Sequence, residues 1–177
     1  RQIRFGMPGL FNARNLAMAM LSASLVQSFD RQKLSVFENP FLGTVEIDYS
    51  NCRGVKRRQE VLLDQENLLV LSDFAHHPTA ISGALESLRS RWPDRKIIAC
   101  FEPRSNTAVT NVFQDRFAES LALADHALIG QVHRVERIAP EKRIDTQEIV
   151  NFIKAKGRLA NAFESNRKLG DFLRDEF

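Results

Sequence analysis

The chain alternates between two hydrophobic rhythms. From residue 57 to 73, "RRQEVLL" and "NLLVLSD" are short apolar and branched runs with a polar turn at Asp64 to Glu66, the pattern of two strands. Pro78 then opens a helical rhythm in which Ile81, Leu85, Leu88 and Trp92 recur at turn spacing. Pro is well placed at a first helical position, because its missing N–H has no partner there. "KIIACF" is a continuous apolar strand, and "TNVFQDRFAESLAL" is a helix with Phe113, Phe117 and Leu121 on one face. "DHALIG" is a short strand. "DTQEIVNFIKAK" is a helix capped by Asp145, with Glu148 three residues later in a capping-box arrangement. "RLANAF" and "NRKLGDFLRDEF" close the series as a strand and an amphipathic helix.

Upstream the rhythm differs. "FNARNLAMAMLSASLVQSF" predicts a helix with Leu16, Met20 and Ala23 on one stripe and Asn12 as its N-cap after the turn at Gly9. A turn-rich connection follows, with a short strand around Val45 to Ile47 and breaks at Asn39-Pro40 and Gly54. These signals put a domain boundary near residues 51–54. The expected units are 1–53 and 54–177.

Strands alternating with helices predict an α/β fold: a Rossmann-like, mostly parallel sheet covered by helices on both faces. Ligands of such sheets bind outside the carboxyl ends of the strands. Three loops are expected there: Asp73 to His77, Glu102 to Asn106, and Gly130 to Arg134.

Composition narrows the classes. Hydrophobic residues make up 44% and charged residues 27% of 177 positions, enough to build a core. The net charge of +3 is small and the basic residues are scattered, so no nucleic-acid stripe is expected. No stretch approaches the roughly 20 apolar residues of a membrane span. The two cysteines form no CxxC pair, which suits a reducing cytoplasm; Cys100 reads as a core thiol within "KIIACF". The chain begins "RQIRFGMPGL" without Met, as expected of a piece of a longer protein that is inactive alone.

Four stretches carry polar chemistry. "DFAHHPTAI" presents Asp73, His76 and His77 at a strand tip. They suit phosphate or Mg²⁺ contacts, or a metal-dependent hydrolase; the plain alternative is that Asp73 and His77 satisfy backbone N–H groups at the turn and cap the following helix. A zinc site needs further ligands, and His126 and His133 lack ligand-like spacing, so no metal site is expected. "FEPRSNT" offers the planar fork of Arg104 with Ser105 and Asn106 beside it. In "GVKRRQE" adjacent Arg residues on a strand face opposite ways, and Arg58 is the one expected at the site; a surface ion pair with Glu60 is its plain alternative. In "GLFNARN", Asn12 and Asn15 lie one turn apart. No GxxxxGK[ST] or GxGxxG occurs, so no complete nucleotide site lies in these residues.

In order and spacing, "GLFNARN", "GVKRRQE", "DFAHHPT" and "FEPRSNT" resemble the C-terminal half of the Mur ligase family, from Gly9 to about Gly130. Phe11 stands where the family carries His, and Ser165-Asn166 stands where some members carry a Gly-rich loop. The resemblance implies that residues 1–53 are the tail of a central ATPase domain. It implies a ligase that uses ATP and Mg²⁺, held mainly by upstream domains, to form an acyl phosphate. The substrates implied are UDP-N-acetylmuramate and a murein tripeptide, with L-alanine as the alternative amine. Carried over by position, Asn12 and Asn15 contact adenosine. Arg58, Asp73 and His76 reach ATP, with Asp73 and His76 catalytic. Arg104, Ser105 and Asn106 meet the peptide or a phosphate.

Overall fold

The computed structural model describes residues 3–5, 10–30, 47–49 and 56–176. The chain divides into two compact units, Arg1–Leu71 and Ser72–Phe177. The boundary expected near residues 51–54, the turn at Gly9 and Cys52 lie outside the described residues.

In the first unit, β1 (Ile3–Phe5) pairs in parallel with β2 (Ile47–Tyr49), and α1 (Leu10–Asp30) lies between them in sequence. Leu16 and Met20 are half-buried, but Ala23 is exposed, so the expected stripe is shorter. Asn12 is not the cap. The helix starts two residues earlier, at Leu10, and Asn12 sits in its first turn, 3% exposed. Next come β3 (Glu60–Asp64) and β4 (Leu69–Ser72), which pair as a hairpin. Its tip is Glu66-Asn67, closed by Gln65 N to Leu68 O at 2.8 Å and Leu68 N to Gln65 O at 3.3 Å.

The second unit holds the regular α/β pattern. α2 (Pro78–Arg91) leads to β5 (Ile98–Phe101); a 3-10 turn at Asn111–Phe113 leads to α3 (Gln114–Leu121) and β6 (His126–Ile129). α4 (Thr146–Ala155), β7 (Leu159–Ala162) and α5 (Asn166–Glu176) complete it. The sheet order is β5-β6-β7, all parallel, with Phe101, Ile129 and Ala162 aligned at the carboxyl ends. All four residues of β6, the central strand, are buried, as expected for a strand covered on both faces. Ala127 and Ile129 join the main core with Phe117, Leu121, Ile149 and Ile153. Phe101 stacks on Phe117 at 5.4 Å between ring centroids. One residue along the pleat, His126 turns the other way. Its Nε2 bonds Asn161 Oδ1 at 2.8 Å, and its ring meets Phe172 of α5 edge-on at 5.9 Å.

Two sequence expectations change here. Cys100 is exposed rather than buried in a core. It sits on β5, at one end of the three-stranded sheet, and the pleat turns it away from its buried neighbour Phe101. The cap of α4 also differs. Asp145 Oδ1 accepts from Gln147 N at 2.9 Å and Glu148 N at 3.0 Å, as a cap should. The reciprocal bond, however, comes from α3. Gln114 Oε1 accepts from Asp145 N at 2.7 Å, while Gln114 Nε2 donates to the Glu148 carboxylate. Gln114 thus takes the place expected of Glu148 and ties two helices together.

The amino end of the sheet is held by Asp125. Its Oδ2 accepts from Arg89 at 2.5 Å and from Ile97 N at 2.8 Å, and its Oδ1 accepts from Arg158 at 2.8 Å. Partial burial pushes the carboxyl pKa up, but the Ile97 N–H and the two guanidinium groups outweigh it and hold the group below the usual aspartate range. Asp125→Ala is expected to cost about 2 kcal/mol at neutral pH. For a depressed carboxylate, the charge-dependent share of stability is present above its ordinary pKa of about 3.9 and is lost as pH falls through the lower folded value. The stability gap between the native protein and Asp125→Asn should therefore close in acid, measured by denaturant unfolding across that range.

Candidate functional site

The turn that follows β4 is built from its own backbone. Asp73 Oδ1 accepts from Ala75 N at 2.7 Å, an Asx turn that fixes the path into α2. His76 Nδ1 lies 2.9 Å from Phe74 O. A carbonyl only accepts, so Nδ1 carries the proton, and in the neutral imidazole Nε2 is left as an acceptor. The exposed His76 ring packs edge-on against Phe74 at 4.9 Å.

His77 occupies the cap position of α2, but its side chain makes no cap bond. Its ring instead meets Phe113 edge-on at 5.1 Å. Only its carbonyl serves the helix, accepting from Ala80 N at 2.9 Å and Ile81 N at 3.0 Å. The plain alternative thus fails for the His77 side chain but holds in part for Asp73, which satisfies a backbone N–H of the turn.

The loop after β5 packs beside this turn. Ser105 Oγ donates to His76 O at 3.3 Å, joining the two loops directly. The same hydroxyl accepts from Ala108 N at 3.2 Å, and the Ser105 carbonyl accepts from Ala108 N at 2.9 Å and Val109 N at 3.1 Å. Ser105 is therefore a brace within the loop. Pro103 is fully buried, while Glu102, Arg104 and Asn106 are exposed. Arg104 lies 3.9 Å from Glu102 Oε2, and 64% of its side chain is exposed.

The loops after β6 and β7 close the rim. His133 N donates to Pro103 O at 2.9 Å. Ser165 caps α5: its Oγ accepts from Lys168 N at 3.2 Å and its carbonyl from Leu169 N at 3.2 Å. That leaves the next side chain, Asn166, to reach across the strand tips. Asn166 Oδ1 accepts from Gln131 N at 3.0 Å, and Nδ2 donates to Glu102 Oε1 at 3.2 Å. Sequence reasoning noticed Asn166 only as a loop counterpart and gave it no role. Its signal was Ser165 just before an amphipathic helix that opens on Asn166, the signature of a cap followed by one polar side chain to spare.

So the structure brings Asp73, His76, Arg104, Ser105 and Asn106 to two adjoining loops of the second unit. The remaining three expected residues belong to the first unit. Asn12 is buried and Asn15 exposed on α1. Arg58 is not on a strand. It lies in the turn before β3, between Arg57 at φ 59° and Gln59 at φ 51°, where the left-handed backbone breaks strand alternation. Glu60 Oε2 accepts from Arg57 N at 2.9 Å.

Among the described residues no group of three or more His, Cys, Asp or Glu is placed to hold a metal ion. No described helix is long and apolar enough to cross a membrane.

Comparison with known proteins gives the family and the fold. The family described as "Mur ligase, glutamate ligase domain" matches residues 57–173. The UDP-N-acetylmuramate–L-alanine ligase of Cytophaga hutchinsonii is 28% identical over 92% of this chain and 32% of its own length. The enzyme of the same name from Lactococcus lactis subsp. cremoris is 37% identical over 58% of this chain and 23% of its own. Among solved structures, a murein peptide ligase from Psychrobacter arcticus superposes with TM-score 0.58 at 26% identity, covering 94% of this chain and 32% of that one. A UDP-N-acetylmuramate–alanine ligase from Thermotoga maritima has the same fold, with TM-score 0.57 at 20% identity over 90% of this chain and 30% of that one. The chain thus spans a quarter to a third of the length of these relatives.

An α/β domain with a parallel sheet and a polar carboxyl rim is the class defined by fold and site. The chain belongs to the Mur ligase family, the ATP-dependent amide ligases of peptidoglycan biosynthesis.

Because an Asp73 oxygen holds Ala75 N and the Ser105 hydroxyl and carbonyl hold Ala108 N, truncating either side chain is expected to act on local order. Ser105→Ala should cost about 1 kcal/mol and speed amide exchange at Ala108 and Val109, read by hydrogen–deuterium exchange.

Proposed function

We propose that this chain supplies the C-terminal rim of a ligase that joins a murein tripeptide to UDP-N-acetylmuramate, with residues 1–53 belonging to the preceding ATP-binding domain and 54–177 forming the C-terminal domain. The observation that carries this reading is the Ser105 Oγ to His76 O bond at 3.3 Å, which sets an imidazole and a guanidinium on adjoining loops of one rim. ATP, with Mg²⁺, supplies the phosphoryl group that activates the muramate carboxylate. The residues present fit the outer part of such a site: an exposed imidazole whose Nε2 can accept a proton, and an exposed arginine suited to anionic groups.

In this reading Arg104 clamps a carboxylate of the incoming tripeptide, with Asn106 beside it. His76 offers Nε2, the acceptor nitrogen, to take the proton released by the attacking amine. Asp73 fixes the turn that carries His76. Asn12 and Asn15 meet the adenosine from residues 1–53, and Arg58 belongs to the C-terminal domain as a further nucleotide contact. An amine acceptor bearing several carboxylates suits an open, polar rim, whereas a lone methyl group is selected by an enclosed apolar niche. L-alanine as the amine is the second reading, favoured by the names of the curated relatives.

Assay of the intact ligase with both amines is the direct test. The tripeptide should exceed L-alanine in kcat/KM by at least about tenfold; equal or better use of L-alanine overturns the assignment. His76→Ala should lower kcat by about 100-fold with little change in unfolding free energy. Arg104→Ala should raise the tripeptide KM about tenfold and leave the ATP KM unchanged.

A further inference from the structure

We infer that Asn166 is a positioning residue for the amine substrate, acting through Glu102 to aim Arg104. This rests on the reading that Arg104 meets that substrate. Three side-chain observations carry it. Asn166 Nδ2 donates to Glu102 Oε1 at 3.2 Å. The other oxygen of the same carboxylate, Oε2, faces Arg104 at 3.9 Å. Asn166 Oδ1 is itself anchored, accepting from Gln131 N at 3.0 Å. The amide is thus oriented at one end by backbone and orients a carboxylate at the other.

Gly130 supports the arrangement. A Cβ built there lies 2.5 Å from Asn166 Oδ1, so any larger residue displaces the amide. Glu102 and Arg104 share one loop and are separated only by the buried Pro103. Pro103 fixes the backbone between them, which leaves the side-chain torsions as the freedom to be restrained. An exposed ion pair alone holds a guanidinium weakly. A carboxylate already fixed by a third group costs less entropy to pair, because one of its oxygens is spoken for before Arg104 arrives.

The test uses the intact ligase. Asn166→Asp keeps an oxygen for Gln131 N but replaces the donor facing Glu102 with a repelling charge. It should raise the tripeptide KM about two- to fivefold, with the ATP KM, the UDP-N-acetylmuramate KM and the melting temperature unchanged. Gly130→Ala should give the same KM signature by expelling the amide. Combined with Arg104→Ala, Asn166→Asp should add nothing further. Where Arg104→Ala does raise that KM, additive losses, or an unchanged tripeptide KM in Asn166→Asp, overturn the inference. If Arg104→Ala alone leaves the tripeptide KM unmoved, the substrate reading of Arg104 fails by itself. The positioning claim is then judged by a crystal structure of the Asn166→Asp ligase: an Arg104 that has left Glu102 sustains it, and an unmoved pair ends it.

Discussion

Phe101, Ile129 and Ala162 lie side by side in the parallel register of the second unit, and its chemistry depends on that level ending. The ladder runs one step beyond the strands, with Gly130 N donating to Phe101 O and Phe163 N to Ile129 O, both at 2.8 Å. Three loops therefore leave the sheet at one height. Parallel strands need crossover helices, and those helices bury the faces of the sheet. A slip of one residue in β6 would turn Ala127 and Ile129 out of the core and His126 into it. With the central strand β6 buried along its length, the charged side chains of the sheet loops gather at its two ends.

The two ends use charge differently. At the amino end, Asp125 spends its carboxylate on Arg89, Arg158 and Ile97 N, all within 2.8 Å. Such a node closes on itself and stabilises the joints between α2, β5, β6 and β7. At the carboxyl end the hydrogen bonds go mainly to backbone: Ser105 to His76 O, His133 N to Pro103 O, Asn166 to Gln131 N. The charged head of Arg104 and the ring of His76 are left at the surface. A rigid frame with exposed ionic heads is what recognition of an anionic ligand requires, because the frame carries the entropy cost before the ligand arrives.

Legibility in the sequence followed how local each determinant is. α2 was plain from Pro78 and its apolar spacing, and β5, β6 and β7 from short apolar runs, because periodicity and punctuation act within a few residues. The cap at Asp145 was read correctly for the same reason. What escaped was long-range. Gln114 replaces Glu148 at the α4 cap from 31 residues away, and no local pattern announces it. Cys100 sat in an apolar run, yet its strand ends the sheet, and edge position is a property of topology. Arg58 was read as a strand residue because the apolar run beside it hid the left-handed turn at Arg57 and Gln59. Within the site, Asp73, His76 and Arg104 were recognisable by residue type and loop position. Asn166 was not, since its partner Glu102 lies 64 residues earlier.

Glu102, Gly130 and Asn166 each lie just beyond a different strand, and they form one physical solution. The amide at position 166 reaches the carboxylate only because position 130 has no Cβ to occupy the space of Oδ1. Conversely, nothing else within 3.4 Å of that point demands glycine: Leu169 Cδ1, at 3.5 Å, is an ordinary contact. The Ser-Asn pair here does with one side chain what a backbone-rich loop would do with peptide N–H groups: Ser165 closes the helix, and Asn166 is released to couple three strand tips. The three positions are therefore constrained as a set, through a contact that exists only because the sheet ends level.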